Sequence, residues 1–187
     1  MEVFTSVLAL GAAALALAVA VGWLFRGHNE TVDGLLVAVS DAALWIAFLV
    51  AGVAMAGSLY FSEVADFIPC RLCWFQRIAM YPLAVILLVA AIRRDRSVQW
   101  YAVPVAATGA CVSIYHYLIE WNPDLEVGDA CAATGPSCSD VWFRVFGFVT
   151  LSFMALCGFV AVIVLTLVGA RVTSERELDG GIERLEA

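Results

Sequence analysis

Pro69-Cys70-Arg71-Leu72-Cys73-Trp74-Phe75-Gln76-Arg77 sets two cysteines three residues apart, with an arginine one helical turn beyond the second, where one long apolar run gives way to another. Two sulfurs that can close a small ring, placed at the edge of an apolar helix, point to redox chemistry where water meets lipid. The rest of the chain supports the lipid. Of its 187 residues 63% are hydrophobic and 14% charged, and the mean hydropathy is +0.93, far outside what a soluble domain of this size can solvate.

A bilayer core about 30 Å thick needs roughly 20 apolar residues per helix. Five runs meet that requirement, at about 3–25, 38–61, 73–92, 98–119 and 143–170. The expected fold is therefore an all-α membrane protein with five spans. Lysine is absent, so orientation rests on arginine: Arg26, Arg93, Arg94, Arg96, Arg171, Arg176 and Arg184 fall in the linkers after spans 1, 3 and 5. Short cytoplasmic loops carry the excess of basic residues, which puts those linkers and the C-terminus in the cytoplasm. Residues 62–72 and 120–142 then face outward, rich in acids such as Glu63, Asp66, Glu120 and Asp124; the Cys70/Cys73 pair closes the first and the second holds Cys131 and Cys138. Span 1 has no basic n-region, runs about 23 residues and is followed by Arg26, so it reads as a retained helix rather than a cleaved signal. The charged tail 173–187 reads as a short frayed helix capped by Ser174, with Glu177 three residues on. A net charge of −7 without a basic stripe argues against nucleic acid as a partner.

Six cysteines separate by position. Cys111 and Cys157 fall inside spans 4 and 5, where a thiol packs as a small hydrophobe. Cys131 and Cys138 lie in the outer loop beside Gly128, Gly135 and Pro136. Spacing alone allows a structural staple there, while the exposure of a long loop favours exchange with a partner's thiolate. A staple is a poor reading of Cys70 and Cys73, because so small a ring removes little chain entropy. Redox or metal chemistry fits them better. Cys73 sits in or beside the first turn of a helix, where unpaired N–H groups favour a thiolate, and Arg77 can lean back toward it. Arg77 could instead snorkel to lipid phosphate. A thiolate held by a cation against lipid is suited to passing electrons to a flat lipid-soluble acceptor such as a quinone. Trp74, Phe75, Tyr81 and Tyr115 could wall that ring or simply form the interfacial belt. His116, at a similar depth on span 4, is a packing residue or a proton donor to the reduced acceptor.

These residues resemble a known family. Ser58-Leu59-Tyr60-Phe61-Ser62-Glu63, the run from Pro69 to Arg77, Met80-Tyr81-Pro82, Tyr115-His116-Tyr117 and Phe146-Gly147-Phe148-Val149-Thr150 are similar to the quinone-dependent thiol oxidases of the disulfide-bond-formation protein B (DsbB) family, especially its Bacillus-type BdbC branch. The likeness spans about residues 40–165 and implies a four-helix transmembrane bundle, to which span 1 is one additional N-terminal transmembrane helix. The resulting division is 1–37 (extra helix and cytoplasmic linker), 38–170 (bundle with two extracytoplasmic redox loops) and 171–187 (cytoplasmic tail). The resemblance also assigns roles. Cys73 would be the quinone-proximal cysteine and Cys70 its partner, with Arg77, His116 and Trp74 at a ubiquinone- or menaquinone-type cofactor. Cys131 would exchange with a thioredoxin-fold, DsbA-like dithiol carrier, and Cys138 would pass electrons toward Cys70. The protein would thus be a multi-pass plasma-membrane thiol oxidase drawing on lipid and the quinone pool. Ser152 stands where that pattern has proline. A vitamin K epoxide reductase-like protein would combine the same parts, but with the loop pair ahead of the C-x-x-C. A structural membrane protein could also use the four cysteines as metal ligands.

Overall fold

The computed structural model describes residues 1–28, 30–126 and 136–186, with the backbone alone for residues 176, 177 and 179–186. The described residues contain five α-helices: α1 (Glu2–Leu24), α2 (Glu30–Glu63), α3 (Arg71–Arg93), α4 (Gln99–Trp121) and α5 (Leu151–Glu186). All five are long and apolar enough to cross a membrane. They alternate in direction, so that the end of α2, the start of α3, the end of α4 and the start of α5 meet at one end. α5 packs on α1, α2 and α4, and α3 fits between α2 and α4.

The helix ends differ from the hydropathy reading, for local reasons. α2 begins at Glu30 rather than near residue 38, because the connection after α1 is tight: Gly27 turns with φ +80 and donates its N–H to the Asp33 carboxylate. Glu30 and Asp33 in the first turn complement the helix dipole. α5 starts at Leu151, not 143. Residues 145–149 instead form a tight reversal, with Val145 and Val149 exchanging both backbone hydrogen bonds at 2.9 Å. Phe146 (φ 53) and Gly147 (φ 81) both occupy the left-handed region, which a mirror-type hairpin turn requires and a helix forbids. Thr150 then caps α5 by accepting from Phe153 N–H. At its far end α5 runs unbroken to Glu186, so Ser174 lies within a continuous helix and caps nothing. α3 passes through Pro82 without interruption.

Close helix crossings are made by small residues, as expected where lipid offers no hydrophobic drive for association. A side chain on Gly109 of α4 would meet the ring of Phe159 on α5 at 2.3 Å, and one on Gly169 would meet Ala43 of α2 at 2.7 Å. Phe159 is fully buried, so its ring must shift to admit the added methyl. Gly109→Ala should therefore cost about 2 kcal/mol through overpacking, seen as a lower unfolding temperature in detergent, and adding Phe159→Leu should recover part of it. At the end away from the cysteines, Arg96 ties three segments by donating to the carbonyls of Ser40 (2.8 Å) and Gly169 (2.9 Å). α1 is fastened there too: Arg26 pairs with Glu175, and Arg171 lies over the Trp23 ring.

Candidate functional site: a cysteine pair between a buried histidine and an apolar cavity

Pro69 ends the loop after α2, and Cys70 takes extended geometry as the N-cap of α3. Its sulfur accepts the Cys73 backbone N–H at 3.3 Å, the bond a serine or aspartate cap would make. The C-x-x-C spacing also brings Cys73 Sγ to 2.9 Å from Cys70 Sγ, and both are free thiols. The third neighbour is His116 of α4, whose Nε2 lies 3.6 Å from Cys70 Sγ. Cys70 is buried in one apolar cluster with Leu72, Ile119 and Cys138. Cys138, fully buried, is disulfide-bonded. Cys131 lies outside the described residues.

The thiolate position differs from the one expected from sequence. Because Cys70 rather than Cys73 caps the helix, it is Cys70 that gathers the stabilising donors. The hydrogen bond from the Cys73 thiol acts most strongly, burial opposes it, and the His116 contact and charge and the Cys73 N–H add to it. Together these lower the Cys70 thiol from its ordinary 9.0 to about 4. Between those values the native protein holds one proton fewer at this sulfur than the unfolded chain. The resulting stabilisation is fully present above pH 9 and is lost as pH falls through about 4. In reduced Cys111→Ala/Cys157→Ala protein, thiolate ultraviolet absorbance should show one sulfur titrating near pH 4 that is missing in Cys70→Ser.

Cys73 faces the other way, into a cavity of about 610 Å³ that Gln76, Arg77 and Tyr81 also line. Arg77 is positioned from α2: Nε donates to Ser58 Oγ (3.0 Å) and Nη2 to the Ser58 carbonyl (3.1 Å), while Tyr81 O–H donates to the same Ser58 Oγ at 3.4 Å. The guanidinium also lies 5.3 Å from the centre of the Trp74 ring. A five-donor fork has capacity beyond these two bonds, so Arg77 can hold an oxygen-bearing group beside Cys73. Gln76 is fixed by donating to Ser113 Oγ (3.0 Å). At the loop end the cavity is roofed by aromatics, Phe67 stacking on Phe61 (5.5 Å) and on Trp142 (4.8 Å).

Several expected residues take other places. Trp74 touches Arg77 but is half exposed and does not line the cavity; Phe75 and Tyr115 also lie outside it, Tyr115 donating to the Leu125 carbonyl. His116 is likewise absent from the wall. It is buried against Cys70, with Glu120 one turn on (Nε2 to Oε1, 3.9 Å) and the Cys138 backbone also within its reach. Cys157 is buried as expected, but Cys111 is exposed on the outer surface of α4. Ser58 and Glu120 had no site role assigned from sequence, Ser58 standing only at the head of a family-like run and Glu120 only among the outer-loop acids. Nothing local marks Ser58, which matters only because α2 crosses α3 there. Glu120 had a weak signal in its i, i+4 spacing from His116; it is buried, and the hydroxyls of Thr150 and Ser152 face its carboxylate.

The family model described as "Disulfide bond formation protein DsbB" matches residues 40–169. The chain belongs to the DsbB family. It is 46% identical over 121 residues (65% of this chain, 87% of the relative) to "Disulfide bond formation protein C" of Bacillus subtilis (strain 168). It is 40% identical over 128 residues (68% and 91%) to "Probable disulfide formation protein C 1" of Bacillus anthracis. A "Probable disulfide formation protein" of Coxiella burnetii (strain CbuK_Q154) is 42% identical over 114 residues (61% and 78%). No solved structure matches the chain significantly. As a DsbB-family protein with five apolar helices, this is a multi-pass membrane protein with a disulfide oxidoreductase role in disulfide bond formation.

Cys70, Cys73 and His116 also present three soft donors within 4.8 Å of one another. The two sulfurs at 2.9 Å are closer than the ~3.8 Å that tetrahedral zinc with Zn–S bonds of about 2.3 Å demands, so thiol–disulfide chemistry suits them better than resident metal.

Proposed function

We propose that the protein is a quinone-dependent thiol oxidase, which reoxidises an extracytoplasmic thioredoxin-fold dithiol carrier and delivers the electrons to a membrane quinone. One observation carries the reading: the Cys70/Cys73 pair is two-sided, with Cys70 packed beside Cys138 and His116, and Cys73 opening onto an apolar cavity with Arg77. The cavity fits the acceptor. Its volume is that of an ordinary ligand pocket, its polar groups gather around Cys73, and a quinone ring offers carbonyl oxygens to Arg77. When bound, the quinone accepts two electrons and two protons.

The chain's own residues do the rest. A disulfide between Cys131 and Cys138 would take two electrons from the carrier's dithiol, leaving the carrier oxidised and the loop pair reduced. Cys138 then attacks the Cys70–Cys73 disulfide, and collapse of that mixed disulfide by Cys131 restores the loop pair and leaves Cys70 and Cys73 reduced. Stabilising the Cys70 thiolate favours the reduced form of this pair, which makes its disulfide a stronger oxidant of Cys138. His116, placed on Cys70 rather than on the cavity, holds or returns that sulfur's proton. The arginine asymmetry supports an extracytoplasmic placement of the loop pair and a cytoplasmic C-terminus. The boundaries read at residues 37 and 170 fall inside α2 and α5, so on this reading α1 is an addition to a bundle of four helices, α2 to α5.

Cys131→Ser separates the pairs. Its Cys70/Cys73 should still be oxidised by quinone, measured by loss of alkylatable thiols, while turnover with a reduced carrier should fall by at least ~100-fold. Turnover at the parent rate would return the loop pair to the role of a staple.

A further inference from the structure

α1 lies outside the matched residues 40–169, yet it is part of the cavity. Residues of α1 from Thr5 to Leu15 line it, a stretch of about 15 Å along the helix axis. Leu49, Val50, Val53 and Ala54 of α2 line it at corresponding depths. The polar groups, Cys73, Arg77, Ser58 and Tyr81, cluster toward the loop end, while the α1 contribution beyond Thr5 is wholly apolar: Val7, Leu8, Ala9, Gly11, Ala12 and Leu15. α1 is held in place independently of any ligand. Ser6, fully buried, contacts Met154 Sδ at 3.7 Å, Ala16 and Val19 are buried, and Arg26 pairs with Glu175 at the far end.

We propose that α1 supplies the wall of a tail subsite, in which the isoprenoid chain of the quinone lies between α1 and α2 while the ring is held at Cys73 and Arg77. The inference rests on the quinone reading above. The occupant follows from the shape and polarity: one polar end at a redox sulfur, continuous with an apolar channel inside a membrane protein, fits a molecule with one polar ring and a long hydrocarbon tail. Free lipid would match the apolar part but has no use for an arginine anchored beside a redox cysteine. The role of α1 is therefore selection by tail, which the bundle of α2 to α5 would lack.

Gly11 provides the probe. It lines the cavity, and a side chain added there meets nothing within 4 Å, so a larger residue enters open space without forcing the helices apart. The test compares Gly11→Leu with the parent protein using two quinones of identical ring, one with an isoprenoid tail and one with none. Binding is read by quenching of tryptophan fluorescence in oxidised protein, and a tailed quinone carrying a photoreactive group at the far end of its tail maps the site. Gly11→Leu should weaken the tailed quinone by about tenfold and leave the tail-less one unchanged, and the photoprobe should label α1 peptides. Equal effects on both quinones, no effect on either, or labelling confined to residues 40–169 overturns the tail subsite. If the tail-less quinone still binds and oxidises Cys70 and Cys73 in that case, the quinone reading survives without it. If neither quinone binds, both readings fall.

Discussion

Cys73→Ser protein should lose quinone reduction altogether, by at least ~10³-fold, because among the described residues Cys73 is the one cysteine that lines the cavity. The same variant cannot form the Cys70–Cys73 disulfide that Cys138 attacks, so electrons taken from the carrier should stop at the loop pair and leave Cys131 and Cys138 as thiols after one turnover. Alkylation of the denatured protein followed by a proteolytic digest reads those thiols directly. Cys111→Ala and Cys157→Ala are the controls. One thiol faces out from α4 and the other is buried in α5, and neither touches the cysteine relay, so both variants should keep parent activity. Sustained quinone reduction by Cys73→Ser would mean that the cavity is not where electrons leave.

Arg77→Met is the second large effect. The guanidinium is anchored twice to Ser58 and stacked near Trp74, so it presents a rigid donor face beside Cys73. A charged hydrogen bond of this kind contributes about 2 kcal/mol, which is roughly a 30-fold rise in the apparent KM for quinone. Arg77→Lys keeps the charge but loses the fork and its two-point anchor, and should fall between. Ser58→Ala should move in the same direction by a smaller factor, since it loosens Arg77 without removing it. Thermal unfolding of each variant separates this from misfolding: a changed KM at unchanged unfolding temperature assigns Arg77 to the acceptor. An Arg77→Met protein with parent KM would make the arginine a lipid anchor.

The five apolar runs make the membrane-spanning fold readable from sequence, because length and hydropathy decide whether a helix can cross a bilayer. Where helices end was not readable from hydropathy. Residues 143–150 are apolar enough to extend α5, yet Phe146 and Gly147 in the left-handed region and the Thr150 cap start it at Leu151. Conversely, the charged residues that suggested a frayed tail continue α5 without a break. In the site, the C-x-x-C pair and Arg77 were legible from spacing. The division of labour between Cys70 and Cys73 was not, since it turns on a two-residue shift in where α3 begins. Ser58, the Glu120 neighbour of His116 and the wall from α1 depend on which helices pack together, and a single sequence carries no direct record of that.

Electron transfer from carrier to quinone is tested most directly with purified protein in lipid vesicles containing quinone, given a reduced thioredoxin-fold dithiol protein in the absence of oxygen. One quinone should be reduced for each disulfide formed in the carrier, followed together by quinone absorbance and carrier thiol count. Carrier oxidation with no quinone reduction, or quinone reduction with the carrier dithiol intact, would contradict it.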